Sequence, residues 1–181
     1  RMFDLHILPQ EEFDVPVVVV GNLNAGGTGK TPHTEYIVEA LSHDFRVGVL
    51  SRGYKRQTGG FILANNKLPP NDLGDEAYQV YRKFGSFITL AVCENRRKGI
   101  KEMLRIDPKI DVIVLDDAYQ HRYVKPKVSI VLTDYARPVY DDKMLPLGTL
   151  REPLRGILRA DMVVVTKCPK QIKPMDINLI K

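Results

Sequence analysis

Six short apolar runs punctuate this chain, and they restrict its architecture more than any other feature. They are VPVVVV (15–20), RVGVL (46–50), SFITLAV (86–92), DVIVL (111–115), KVSIVL (127–132) and DMVVVT (161–166). Each is nearly continuous in apolar and β-branched residues, the pattern of a strand covered on both faces. Helical stretches separate several of them: 31–42, with Tyr36, Ile37, Ala40 and Leu41 at helical spacing, then 75–84, 94–106 and 150–160. Alternation of this kind predicts an α/β fold, a mainly parallel sheet with helices on both faces joined by right-handed crossovers. GGFILANN (59–66) breaks the rhythm as a short hairpin or edge strand. The sequence divides into a main domain, 1–170, and a segment, 171–181, that starts a linker or second domain; the tail CPKQIKPMDINLIK opens what reads as another helix.

With 181 residues and 44% hydrophobic content, the chain suits one globular domain. Its net charge of +5 favours anionic partners without choosing among them. Cys93 and Cys168 lie far apart, and no CxxC pair occurs, which argues against zinc and for two ordinary thiols in a reducing compartment. No run approaches the roughly 20 apolar residues of a transmembrane helix, and no signal peptide is visible.

Directly after the first strand comes NAGGTGKTPH (24–33). Glycines let successive backbone N–H groups surround phosphates, and the helix that follows adds its positive end. Asn24, Ala25, Gly26, Gly27, Thr28 and Gly29 form the predicted ATP-binding loop. Lys30 supplies the charge that reaches the outer phosphates, and Thr31 the hydroxyl that binds Mg²⁺. Pro32 falls in the first helical turn, where its missing N–H costs little. Asn24 stands where the usual pattern has glycine, and Asn tolerates left-handed backbone angles better than most residues. The placement between a buried strand and a helix makes this a P-loop of the NTPase type.

VIVLDDAYQH (112–121) ends a second buried strand with Asp116 and Asp117. Asp116 falls where a Walker B carboxylate would hold Mg²⁺, and Asp117 adds negative charge beside it. His121 either contacts a substrate phosphate or is a capping or surface histidine. SRGYKR (51–56) sits after another strand and either recognises phosphate or is a solvated basic loop. In LGDEAYQVYRKF (73–84), Asp75 and Glu76 suit the first turn of a helix as dipole-compensating residues. In LPLGTLREPLRGILRAD (145–161), Arg151, Arg155 and Arg159 share one face of a predicted helix, with an apolar stripe of Leu150, Leu154, Ile157 and Leu158 beside it. That helix either packs on the core with a wet basic side or lies against anionic lipid. Glu152 is the candidate exception in this stretch, an acid to place near the metal.

Together these stretches, from VPVVVVGNLNAGGTGKTP through SRGYKR, GDEAYQ, CENRRKG and VIVLDDAYQH to LPLGTLREPLRGILRADMVVVTK, resemble the tetraacyldisaccharide 4′-kinases, the lipid A kinases of Gram-negative bacteria. The family often writes DDG where this chain has DDA, and proline where Ala77 stands. Its members are nearly twice as long, beginning with an apolar membrane-associated helix and ending with a second α/β region, so this chain resembles their nucleotide-binding portion. The resemblance implies transfer of the ATP γ-phosphate to the 4′-hydroxyl of an acylated glucosamine disaccharide 1-phosphate, giving lipid IVA, with activity of this portion alone weak or absent. It implies Asp75 as the base, Lys30 at the transferring phosphoryl, and Thr31, Asp116, Asp117 and Glu152 around Mg²⁺. Arg52, Tyr54, Gln120, His121 and Arg151 become substrate contacts. It further implies a monomer on the cytoplasmic face of the inner membrane, and no nucleic-acid partner is expected from the motifs present. Three other readings compete: a regulatory ATPase of the partitioning or cell-division type, whose signature lysine early in the loop is Ala25 here; a nucleotide-binding module without chemistry; and nucleic-acid binding, which has only the mild positive charge behind it and no aromatic-interleaved basic motif.

Overall fold

The computed structural model describes residue 3 and residues 8–172. The expected helix of the tail and the 171–181 segment fall almost wholly outside the described residues.

The strands are β1 (Val17–Asn22), β2 (Val47–Ser51), β3 (Ile62–Leu63), β4 (Ile88–Val92), β5 (Val112–Asp116), β6 (Val128–Asp134) and β7 (Met162–Thr166). They form one sheet in the order β3-β4-β2-β5-β1-β6-β7. Every pairing is parallel except β3 with β4, so the GGFILANN stretch contributes a short antiparallel edge strand. The helices are α1 (Lys30–Leu41), α2 (Pro70–Leu73), α3 (Asp75–Phe84) and α4 (Arg96–Ile106).

Side-chain alternation along each strand divides the interior into two cores, one per face. Val17, Val19, Leu50, Ile113 and Leu115 point to the face covered by Ile100 and Met103 of α4. Val20, Val47, Val49, Val112 and Val114 point to the face covered by Val38 of α1 and Ala77 and Val80 of α3. All five residues of β2 and all five of β5 are buried. This is why their sequences show no polar alternation.

The predicted helix over 150–160 is not one. Only a 3₁₀ segment, Leu154–Arg159, forms. Pro153 lacks the N–H that an α-helix begun at Leu150 would need for its first internal bond. The backbone upstream is engaged elsewhere: Leu150 N–H donates to Lys143 O (3.0 Å), and Arg151 N–H donates to Leu23 O (2.8 Å). Arg151 therefore does not share a helix face with Arg155 and Arg159. The apolar stripe is not buried as a unit either, since Leu150 is 3% exposed and Leu158 is 84% exposed. No helix among the described residues is long and apolar enough to cross a membrane.

Candidate functional site

Parallel strands bring their carboxyl ends to one edge of the sheet, and the loops that leave there supply the candidate residues. The loop from β1 to α1 is held from both sides. Asn22, fully buried, donates from Nδ2 to Thr28 Oγ1 (2.8 Å) and accepts from Arg151 Nη2 (2.6 Å). Asn24 Nδ2 donates to Asp142 Oδ2 (2.6 Å), and Ala25 N–H donates to Thr149 O (2.6 Å). On the opposite side Thr166 Oγ1 donates to Thr28 O (3.0 Å) and Lys167 Nζ to Gly27 O (2.6 Å). Gly29 takes φ +79° immediately before α1. Left-handed backbone there turns the chain from loop into helix at little cost only for glycine.

Asp116 ends β5 at 3% exposure and accepts from Thr34 Oγ1 of α1 (2.9 Å). Burial pushes its carboxyl up to about 6, against the Thr34 bond, with Glu76 and Asp117 adding to the rise and Lys30 opposing it. Asp117 follows at φ +45°. Its Oδ1 lies 3.7 Å from Lys30 Nζ and 3.3 Å from Arg151 Nη2. Arg96, the first residue of α4, is 2% exposed; it donates to Cys93 O (2.8 Å) and Asp116 O (3.3 Å). Desolvation lowers its guanidinium to about 10, and it remains a cation. It thus ties the ends of β4 and β5 together beneath the acidic pair.

A cleft of about 430 Å³ opens at this edge. Gly26, Gly27, Gly29, Lys30 and Thr31 line one side, and Tyr54, Glu76, Asp117 and Arg151 the others. Asp75 is exposed at the start of α3, next to Glu76. Gly74, at φ +84° and ψ +152°, fixes where α3 begins. Arg52 is exposed on the loop after β2.

Of the predicted residues, Asn24, Thr28, Arg52, Asp75, Asp116, Gln120, His121 and Glu152 are not on the cleft lining, and the last three are engaged elsewhere. Gln120 Nε2 donates to Asn22 O (2.7 Å) and Glu152 Oε1 (3.2 Å), bracing β1 from behind. Glu152 accepts from Arg159 Nη2 (2.8 Å). His121 lines a separate cavity of about 220 Å³ with Tyr119, Arg122 and Arg159. Desolvation, then Arg96, Arg97 and Arg52, lowers its imidazole to about 4, so it is neutral.

Sequence reasoning missed Asn22, Thr34, Arg96, Asp142 and Lys167, and read Glu76 only as a dipole-compensating residue. Asn22 and Thr34 are polar residues in apolar patterns, which was a usable signal. Arg96 lay within CENRRKG, where no pattern distinguishes the buried arginine from Arg97. Asp142 and Lys167 reach the loop through tertiary contacts that no local spacing encodes.

The tetraacyldisaccharide-1-P 4′-kinase family model matches residues 1–179. The tetraacyldisaccharide 4′-kinase of Bacteroides thetaiotaomicron is 54% identical over 181 residues, covering 99% of this chain and 47% of that protein. The Parabacteroides distasonis tetraacyldisaccharide 4′-kinase is 51% identical, covering 100% and 49%. The solved structure of Aquifex aeolicus LpxK in complex with ATP superposes with a TM-score of 0.83 at 34% identity, over 96% of this chain and 56% of that one. The chain thus spans about half the length of the curated relatives it matches.

Proposed function

The chain belongs to the tetraacyldisaccharide-1-P 4′-kinase family, and from that premise we propose that it is the nucleotide-binding portion of a lipid kinase. The reaction is transfer of the γ-phosphate of ATP to the 4′-hydroxyl of a tetraacylated glucosamine disaccharide 1-phosphate. The observation that supports it best is the convergence of Lys30 Nζ and Asp117 Oδ1 at 3.7 Å on one cleft with the glycine loop, Thr31 and Arg151. The family match does not favour a partitioning-type ATPase.

Phosphoryl transfer requires positioning and charge neutralisation more than covalent chemistry. In the proposed mechanism Lys30 and the amino end of α1 hold the outer phosphates. Arg151, anchored through Asn22 and the Asn24 carbonyl, points its guanidinium to the same side. Asp75 accepts the proton of the attacking hydroxyl, with Glu76 beside it on the cleft wall. Arg52 and Tyr54, on the loop facing Glu76, contact the acceptor. Gln120 acts by bracing β1, and His121 contacts the acceptor only if the lipid reaches the second cavity.

The donors present fit Mg²⁺. One hydroxyl and one or two carboxylates, completed by phosphate oxygens and water, form its usual shell in such sites. Asp116, pushed up to about 6 by burial, is a carboxylate whose charged form favours a nearby cation. Among the described residues no three Asp, Glu, His or Cys side chains group into a protein-only cage, which suits an ion that arrives with the nucleotide. Thr31, Asp116 and Asp117 would hold it, and Glu152, held by Arg159, is the weakest member of the set. When bound, the ion would neutralise charge on the phosphates.

The reading places the protein as a monomer on the cytoplasmic face of the inner membrane, with an acylated disaccharide lipid as partner and no nucleic acid. The test is label transfer from γ-labelled ATP to the disaccharide 1-phosphate by the full-length protein. Transfer supports the assignment, and ATP binding with no labelled acceptor refutes it.

A further inference from the structure

Fifteen large apolar side chains are substantially exposed among the described residues, and six of them fall between positions 140 and 158. Leu147 is 85% exposed and Leu158 84%, with Leu145 at 54% and Met144 at 43%. Scattered leucines on a surface need no explanation, but this density does. The backbone concentrates part of it. Residues 143–150 form a closed turn: Leu145 N–H donates to Leu150 O (3.0 Å), Leu150 N–H to Lys143 O (3.0 Å), and Leu147 N–H to Met144 O (3.0 Å). Leu145 and Leu147 therefore both lie, exposed, within this one short turn.

Charge on the same stretch is sorted. Asp142 is occupied by Thr149 and Asn24, and Glu152 by Arg159 and Gln120. Lys143 and Arg155 are exposed, leaving Asp141 as the exposed acid. Apolar side chains flanked by exposed cations are complementary to an anionic bilayer, in which leucines enter the acyl boundary and cations meet the phosphates. The foot of the turn is bonded to the phosphate loop through Ala25 N–H to Thr149 O and Asn24 to Asp142. The segment leaving it carries Arg151 to the cleft.

We propose that the turn at 143–150, with the adjoining 3₁₀ segment Leu154–Arg159, is a docking surface for an anionic lipid bilayer, set so that the cleft opens beside the membrane. It deepens the lipid-kinase reading and rests on it for its purpose, while the binding itself is independent of chemistry.

The experiment is co-sedimentation of the full-length protein, without nucleotide or acceptor, with vesicles of phosphatidylethanolamine containing or lacking phosphatidylglycerol. The parent partitions onto the anionic vesicles. Leu145→Asp with Leu147→Asp lowers its partition coefficient about tenfold or more, and Arg155→Glu weakens binding most at low salt. Leu147→Ser, at an exposed position, lowers it by a smaller factor while leaving affinity for a fluorescent ATP analogue unchanged, which separates lost docking from misfolding. Unchanged partitioning of all three variants overturns the proposal. So does equal binding to vesicles without phosphatidylglycerol, or a change from dimer to monomer with vesicle binding intact, which would assign the surface to a second copy. Vesicle binding without label transfer to the acceptor would refute the kinase reading and leave the docking surface standing.

Discussion

Replacing Gly74 by alanine isolates how the candidate base is positioned. Gly74 ends α2, donating its N–H to Pro70 O (2.8 Å), and begins α3, where its carbonyl accepts from Tyr78 N–H (2.9 Å). It does so at φ +84° and ψ +152°, a region that L residues enter at about 1–3 kcal/mol. A Cβ would stand 2.4 Å from Tyr54 O and 3.0 Å from Gly53 C. Both are backbone atoms, so no rotamer change relieves the overlap; the SRGYKR loop or α3 must move. The sum is a destabilisation of about 3–4 kcal/mol, or roughly 6–16 °C in melting temperature for a domain of this size. The comparator is Gly60→Ala, at φ +75° with nothing within 4 Å of its Cβ. It should cost only about 1–2 kcal/mol. Thermal unfolding of both variants gives the difference. Because Asp75 and Glu76 ride on the displaced turn, phosphoryl transfer by Gly74→Ala should fall about a hundredfold, the scale of a 1 Å misplacement, while ATP binding persists. If Gly74→Ala melts no lower than Gly60→Ala and keeps full activity, the steric argument fails.

Lys30→Ala should lower the transfer rate by well over tenfold with the fold intact, and a smaller loss in steady-state kinetics would mean that this loop does not clamp the reacting phosphates. Asp75→Ala in the full-length protein should abolish transfer while nucleotide binding persists; undiminished turnover would remove Asp75 from the role of base. His121, facing Arg52, Arg96 and Arg97, is lowered from an ordinary 6.5 to about 4. The unfolded chain therefore binds that proton first, and folding stability falls as pH drops from about 6.5 toward 4. His121→Gln should flatten this limb in urea unfolding midpoints measured against pH, and an unchanged slope would show that the histidine is not held neutral.

The strands were legible because burial on both faces leaves an unbroken apolar signature, and each observed parallel strand falls on an expected run to within two residues at either end. The glycine loop was legible because its local composition encodes its turn. The helix expected over 150–160 does not form: leucine and arginine periodicity suggests a helix, but Pro153 opposes it. There the tertiary pairing of Thr149, Leu150 and Arg151 with the phosphate loop decides the backbone. His121 and Gln120 follow the acidic pair at once in sequence, yet the turn after β5 sends one to another cavity and the other behind β1. Proximity along a chain predicts a shared site only while the backbone runs straight. Arg96 shows the converse: a cation in a run of charges is buried because its helix starts over the end of β5, a fact about sheet order.

The glycine loop is gripped by Thr149 and Asp142 on one flank and by Thr166 and Lys167 on the other. Its conformational freedom is thus surrendered during folding and not when a nucleotide docks. A ligand meets a rigid socket, so exchange should be governed by how quickly ATP and its product diffuse away, with no slow reassembly of the cradle between turnovers.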